Sequence, residues 1–91
     1  MSRDEFYRDV GGRIQAARRR SGLAQKELAL HLDLSRESIS NIENGRHAVQ
    51  LHVLAAIAHV LELEVGELIP PVALSSRSAR DVFAARVMGT L

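Results

Sequence analysis

With 91 residues and a formal net charge of +1, the chain has room for one small domain. A domain this short buries only roughly 60 to 65 per cent of its unfolded surface, leaving little core in which to enclose an active site, so an enzyme is disfavoured. The sequence has no cysteine, which removes disulfide frameworks and thiolate metal sites, and no apolar run approaches the roughly 18 residues that span a bilayer. Met1 leads directly into charged residues rather than a secretory signal, so a cytoplasmic protein without membrane contact is expected.

In chain order, Ser2-Arg3-Asp4-Glu5 fits a capping box and predicts a first helix from about Ser2 to Arg20. Phe6, Val10, Ile14 and Ala17 form its inward stripe. Gly11-Gly12 should weaken its middle by roughly 1 kcal/mol per residue relative to alanine, so the first ten residues are expected to fray or hinge. Arg18, Arg19 and Arg20 invite two readings that stay open: a cluster meeting nucleic acid, or a solvated helix end whose cations suit the C-terminal dipole.

Residues 23 to 46 read LAQKELALHLDLSRESISNIENGR and carry most of the information. Leu28, Ala29 and Leu32 make one apolar stripe on a helix from Gln25 to about Leu32. Ile39 and Ile42 share a face of a second helix from about Arg36 to Glu43. Only Asp33-Leu34-Ser35 joins them. Asp33 tolerates a left-handed backbone, Leu34 can plug the angle, and Ser35 can cap the second helix. Asn44-Gly45 supplies residues that commonly end a helix. Two helices joined so tightly must cross steeply, the arrangement that lets the second enter the DNA major groove. With Ile39 and Ile42 inward, the outward positions hold Arg36, Glu37, Ser40, Asn41 and Asn44. Arginine can meet guanine N7 and O6, asparagine can meet adenine, and glutamate can accept from cytosine N4, so Arg36, Glu37, Ser40 and Asn41 are the candidate base readers. Any solvated helix face can look polar in this way; the tight corner is what favours the reading face.

This segment resembles the helix-turn-helix of the Xre or lambda-repressor-like family of small DNA-binding regulators, and resembling residues extend from Ile14 to Leu68. Arg18, Gln25, Ala29, Ser35, Ile39, Ile42, Glu43 and Gly45 sit where the family pattern places such residues. Asp33 replaces the usual turn glycine, Ala24 the usual Thr or Ser cap, and Val49 a common proline. The missing cap should cost the second helix about 1 kcal/mol. The resemblance implies an all-α, compact five-helix lambda-repressor-like domain over residues 1–69, with the helix-turn-helix at 25–44. It further implies phosphate contacts from Gln25, Ser35, Ser38, Asn44 and Arg46, and an ion pair between Arg18 and Glu43. Glu43 lies at the wrong end of its helix dipole and needs such a partner.

A net charge of +1 looks poor for a polyanionic partner, but its distribution is uneven. Residues 1–22 hold six arginines against three acids, whereas residues 47–71 hold three glutamates and no lysine or arginine. A basic and an acidic side would orient the molecule on double-stranded DNA while keeping non-specific affinity modest. A fourth helix is expected over about Leu51 to Leu61, with Leu51, Leu54, Ala55, Ala58 and Leu61 facing the core. Val53, Ala56 and Val60 then form a second apolar stripe, continued by Leu63, Val65 and Ile69, which points to a homodimer through this face. Two-fold symmetry would set two reading helices about 34 Å apart on successive half-sites.

Pro70-Pro71 begins an extension over residues 70–91, in which Ser78-Ala79-Arg80-Asp81 starts a further helix over 78–88, with Ala79, Val82, Phe83 and Val87 in its stripe. Val82 and Phe83 join the expected dimer interface. The leading reading is a transcription regulator, most simply a homodimeric repressor. The alternative is an antitoxin-type interaction protein whose residues 72–91 bind a protein partner; a third keeps the motif as scaffolding alone. His52 and His59 lie seven apart on one helix, about 10 Å along its axis and too far for one ion, so no metal and no cofactor are expected. No nucleophile, base and orienting group come together, and no catalytic residue is assigned.

Overall fold

Ser2 starts α1 (Arg3–Arg20): its Oγ accepts from the Glu5 N–H at 3.1 Å, and Asp4 and Glu5 in the first turn oppose Arg18, Arg19 and Arg20 in the last, matching the helix dipole at both ends. In the computed structural model, which describes residues 1–71, this helix runs unbroken through Gly11-Gly12. The expected hinge is absent for a packing reason. Gly11 is buried where α1 crosses the end of α3, and a Cβ added there would strike the Ile42 and Glu43 carbonyl oxygens and lie 2.7 Å from the Glu43 carbonyl carbon. The glycine allows two backbones to meet.

α2 (Gln25–Leu32) and α3 (Arg36–Glu43) follow, joined by the three expected residues. Asp33 takes the left-handed conformation (φ 55°, ψ 42°), and the Leu34 N–H reaches back to the Ala29 carbonyl at 3.0 Å, closing α2. Leu34 is half-buried against the core, and Ser35 Oγ accepts from the Ser38 N–H at 3.0 Å. Ala24 has no oxygen with which to cap α2, but the Glu27 carboxylate returns to accept from the Ala24 N–H at 2.9 Å. Half of a capping box therefore survives.

The core draws on every helix: Val10, Ile14 and Ala17 from α1, Leu28 and Ala29 from α2, Ile39 from α3, with Leu54, Ile57, Ala58, Leu61 and Leu68 beyond. α4 (Leu51–Val60) is turned differently from the expectation. Its buried stripe is Leu54, Ile57, Ala58 and Leu61, the i, i+3, i+4, i+7 set, while Leu51 is 74% exposed and Ala55 is exposed. Leu54, Ala58 and Leu61 lie inward as expected, and Ile57 takes the place expected for Leu51 and Ala55, on a helix that packs against α2 and the turn that follows α4.

The expected five-helix domain also needs correction. The described residues contain four α-helices, and the place of a fifth is taken by a four-residue 3-10 turn, Val65–Leu68. Glu62 turns left-handed (φ 58°) directly after α4, and Pro70-Pro71 follows within eight residues, too few for another helix of ordinary length. Leu68 is buried all the same, so the turn seals the core as a helix would. The helix expected over 78–88, with Val82 and Phe83, lies outside the described residues.

Candidate nucleic-acid interface

α3 presents the residues expected to read DNA. Arg36, Glu37 and Asn44 are exposed, and Ser40 and Asn41 are half-buried, while Ile39 on the opposite face is 1% exposed. Ile42 is half-buried rather than fully covered. Asn44 Nδ2 donates to Ser40 Oγ at 3.4 Å, a weak contact that leaves most of that amide's capacity free. At the other end, Ser35 and Ser38 share a hydroxyl contact of 2.9 Å. One serine caps the helix and the other sits on its first turn, so both are placed where an approaching phosphate would also meet the positive end of the α3 dipole.

Behind this face, α3 is clamped through one carboxylate. Glu43 is 4% exposed and accepts from three donors: Arg18 Nε at 2.6 Å, Arg18 Nη2 at 2.9 Å and Gln25 Nε2 at 3.0 Å. Arg18, 6% exposed, also donates from Nη1 to the Leu23 carbonyl at 2.8 Å. The hydrogen bond to Glu43, working against burial, pushes the Arg18 guanidinium further up from its ordinary pKa, so Arg18 keeps its charge. A bidentate arginine-carboxylate fork fixes orientation as well as distance. The network joins the end of α1, the loop after it, the start of α2 and the end of α3. Among the described residues, every buried side-chain nitrogen and oxygen has a partner. Gln25 thus has one amide N–H turned onto Glu43, which leaves its second N–H for the phosphate role expected of it.

The end of α3 is equally constrained. Gly45 is left-handed (φ +71°), and the Asn44, Gly45 and Arg46 N–H groups bond back to the carbonyls of Ser40, Ile42 and Asn41 at 3.0, 3.1 and 2.9 Å. Arg46 therefore leaves the helix at a set position, exposed beside Asn44. Reading along the sequence expected Arg18 to meet Glu43 but missed the close backbone approach of α1 to this end at Gly11 and Gly45, and missed that Gln25 serves Glu43. One signal was available for the first: Gly11 lies on the inward face of α1 with Val10 and Ile14, where a glycine points to a close neighbour.

The expected dimer face is only partly open. Val53, Val60, Leu63, Val65 and Ile69 are half-buried against their own core, and only Ala56 of the described set is exposed. None of the described helices is long and apolar enough to cross a membrane, and no group of three or more potential metal ligands forms among the described residues.

Comparison with known proteins fits this geometry. The helix-turn-helix family profile matches residues 14–68, which covers α2 and α3 and runs to the end of the 3-10 turn. The immunity repressor protein of Bacillus phage phi105 is 37% identical over 60 residues, 66% of this chain and 42% of its own length, so the chain spans less than half of that relative. Among solved structures, the restriction-modification controller protein C.AhdI from Aeromonas hydrophila superposes with a TM-score of 0.67 at 30% identity, covering 69% of this chain and 96% of the other. Hydroxypropylphosphonic acid epoxidase from S. wedmorenis also superposes, at a TM-score of 0.69 and 28% identity, over 74% of this chain. That likeness takes in only 36% of the epoxidase, a fragment with the same helical fold. By the profile match over most of its length, and with its α2–α3 corner in place, the chain belongs to the Xre-like helix-turn-helix family of DNA-binding transcriptional regulators.

Proposed function

We propose that this chain is a sequence-specific transcription regulator, a homodimeric repressor that binds a two-fold symmetric operator through the major groove. One observation carries the reading: the polar outer face of α3 is held rigid from behind by the Arg18–Glu43–Gln25 network. A helix that merely needed solvation would not need its angle fixed to three other segments. In this reading Arg36, Glu37, Ser40 and Asn41 meet base edges. Gln25, Ser35, Ser38, Asn44 and Arg46 meet phosphates and set the register. Residues 1–69 form the reading domain and residues 70–91 an extension that serves assembly.

Dimerisation supplies the affinity that a net charge of +1 does not. Its surface is the outer side of α4 and the turn after it. Ala56 is exposed there, and Val53, Val60, Leu63, Val65 and Ile69 contribute the edges their own core leaves uncovered. The homologous phage protein is by name a repressor and the similar solved structure is by name a controller protein, which supports the regulator part of the reading.

The test is selection of bound sequences from random duplex DNA, run with the wild-type chain and with Arg36→Ala. The expected result is a two-fold symmetric consensus that loses preference at one base position in each half-site, by about 1–3 kcal/mol of discrimination. An absence of enrichment would sink the DNA reading, an unsymmetric consensus the dimer, and an unchanged consensus the role of Arg36.

A further inference from the structure

The family match begins at Ile14, yet α1 begins eleven residues earlier, and the N-terminal part of that helix touches the end of the reading helix. Gly45 packs directly on the backbone of Arg8: a Cβ added to Gly45 would lie 2.6 Å from Arg8 Cα and 3.1 Å from Arg8 Cβ. Arg8 and Gly11 are one turn apart on α1, and both sit against α3 or the residue that ends it, so the placement of Arg8 is fixed twice. Its side chain starts beside the Asn44-Gly45-Arg46 bend and is exposed.

Of the other arginines on α1, Arg19 and Arg20 stand exposed at its far end without an ion-pair partner among the described residues, while the three others are engaged. Arg3 lies over the Tyr7 ring at 5.8 Å, Arg13 donates to Asp9 at 2.7 Å and to the Glu67 carbonyl at 3.4 Å, and Arg18 holds Glu43. Among the described residues, no carboxylate lies within 4.0 Å of the Arg8 guanidinium. Neutralising the negative end of α3 is a weak reason for it to be there, because three of the last carbonyls of α3 are already bonded by the N–H groups of residues 44 to 46.

We infer that Arg8 is a further DNA-backbone contact, neutralising a phosphate next to the one that Arg46 meets, through a helix segment that lies before the family match. This rests on the DNA reading above. An exposed cation without a counter-charge, its backbone packed on the bend after α3, suits a phosphate oxygen in charge and donor chemistry. It cannot read a base from there. Arg8 therefore raises affinity for every sequence and leaves specificity to α3.

The experiment measures binding of the full-length wild type, Arg8→Ala, Arg8→Lys and Arg36→Ala to the selected duplex and to an unrelated duplex over a series of salt concentrations. Circular dichroism of each variant establishes that α1, which an exposed alanine does not disturb, is intact. Expected is a loss of about tenfold for Arg8→Ala on both duplexes. The slope of log affinity against log salt should be shallower by about 0.9 for each Arg8 removed, and Arg8→Lys should keep the wild-type slope. Base preference should not change. Equal affinity and slope for Arg8→Ala and wild type would overturn the assignment while leaving the DNA reading in place, provided Arg36→Ala loses preference. Loss on the selected duplex alone would overturn it too, since that is the signature of a base reader. Failure of the wild type to bind either duplex would overturn both this assignment and the reading on which it rests.

Discussion

The third helix, α3, is fixed on two sides, and the two sides use different physics. At the corner between α2 and α3, each device lies within a few residues of its partner: Asp33 turns left-handed, the Leu34 N–H reaches Ala29, and Ser35 caps Ser38. At the seam between α1 and α3, the partners are far apart in the chain. Arg18 and Glu43 are separated by 25 residues, and Gly11 and Gly45 each let a distant backbone come close. The corner sets the angle of α3 to α2 from local preference, whereas the seam sets its position only once the whole domain has folded. Damage to the seam should therefore be the more costly, because it leaves buried charge or overlapping backbone, while damage to the corner exposes groups to water.

The largest effect is expected for Glu43→Ala. It strands the Arg18 guanidinium and the Gln25 amide in a site from which water is nearly excluded, and breaking a buried pair in this way costs about 3–5 kcal/mol. Against a total stability on the order of 5–15 kcal/mol for a domain of this kind, urea denaturation should show a midpoint moved far down. Replacing both partners, Arg18→Met with Glu43→Leu, should cost less than the sum of the two single substitutions by at least about 1 kcal/mol. Simple additivity would mean that the network does not hold the seam.

Next in size is Gly11→Ala. The added methyl meets carbonyl groups of α3, which cannot rotate away as a side chain could, so strain of about 3 kcal/mol is set against about 1 kcal/mol gained in helix propensity. The net loss should be about 2 kcal/mol. Gly12 is the internal control, for nothing lies within 4 Å of a Cβ added there, and Gly12→Ala should gain about 0.5–1 kcal/mol. Thermal unfolding of the two variants should move in opposite directions. If both stabilise, α1 does not press on α3 as closely as the structure places it.

The same contrast explains what could be read along the chain. The corner was legible because turn and cap chemistry is short-range: Asp33-Leu34-Ser35 announces its own conformation, and the 3.6-residue period alone sends Arg36, Glu37, Ser40 and Asn41 outward once Ile39 is inward. The seam was not. Helix propensity is a local quantity, so Gly11 looked like a weak point when it is a point of contact. Gln25 was placed at the helix start by resemblance, but nothing near it in the sequence points to Glu43. On α4, Leu54, Ala58 and Leu61 lie inward as expected and Leu51 and Ala55 do not, for a third reason: LHVLAAIAHV is apolar on almost every side, so periodicity offers little contrast between Ile57 and its neighbours. The missing fifth helix follows from the left-handed Glu62 and the early prolines, a stop placed too soon after α4 for more than one turn.

A smaller effect than either loss belongs to the corner side and, like that of the Gly12 control, is a gain. Ala24 already has the extended backbone of an N-cap (φ −77°, ψ 159°), and Glu27 already bonds to its N–H, so a serine there needs no rearrangement to accept from the Glu27 N–H and complete the box. Ala24→Ser should gain about 1 kcal/mol, a rise of roughly 4–8 °C in melting temperature for a domain this size. Ser21, Gly22 and Ala24 are all exposed, and no buried group depends on the exchanged methyl. An unchanged or lowered melting temperature would mean that α2 is held at its start by the Gln25–Glu43 bond, so that the seam governs even the corner's first helix. A gain would show the reverse: the corner has an independent local margin that one side chain can improve, which no single substitution at the buried fork can do.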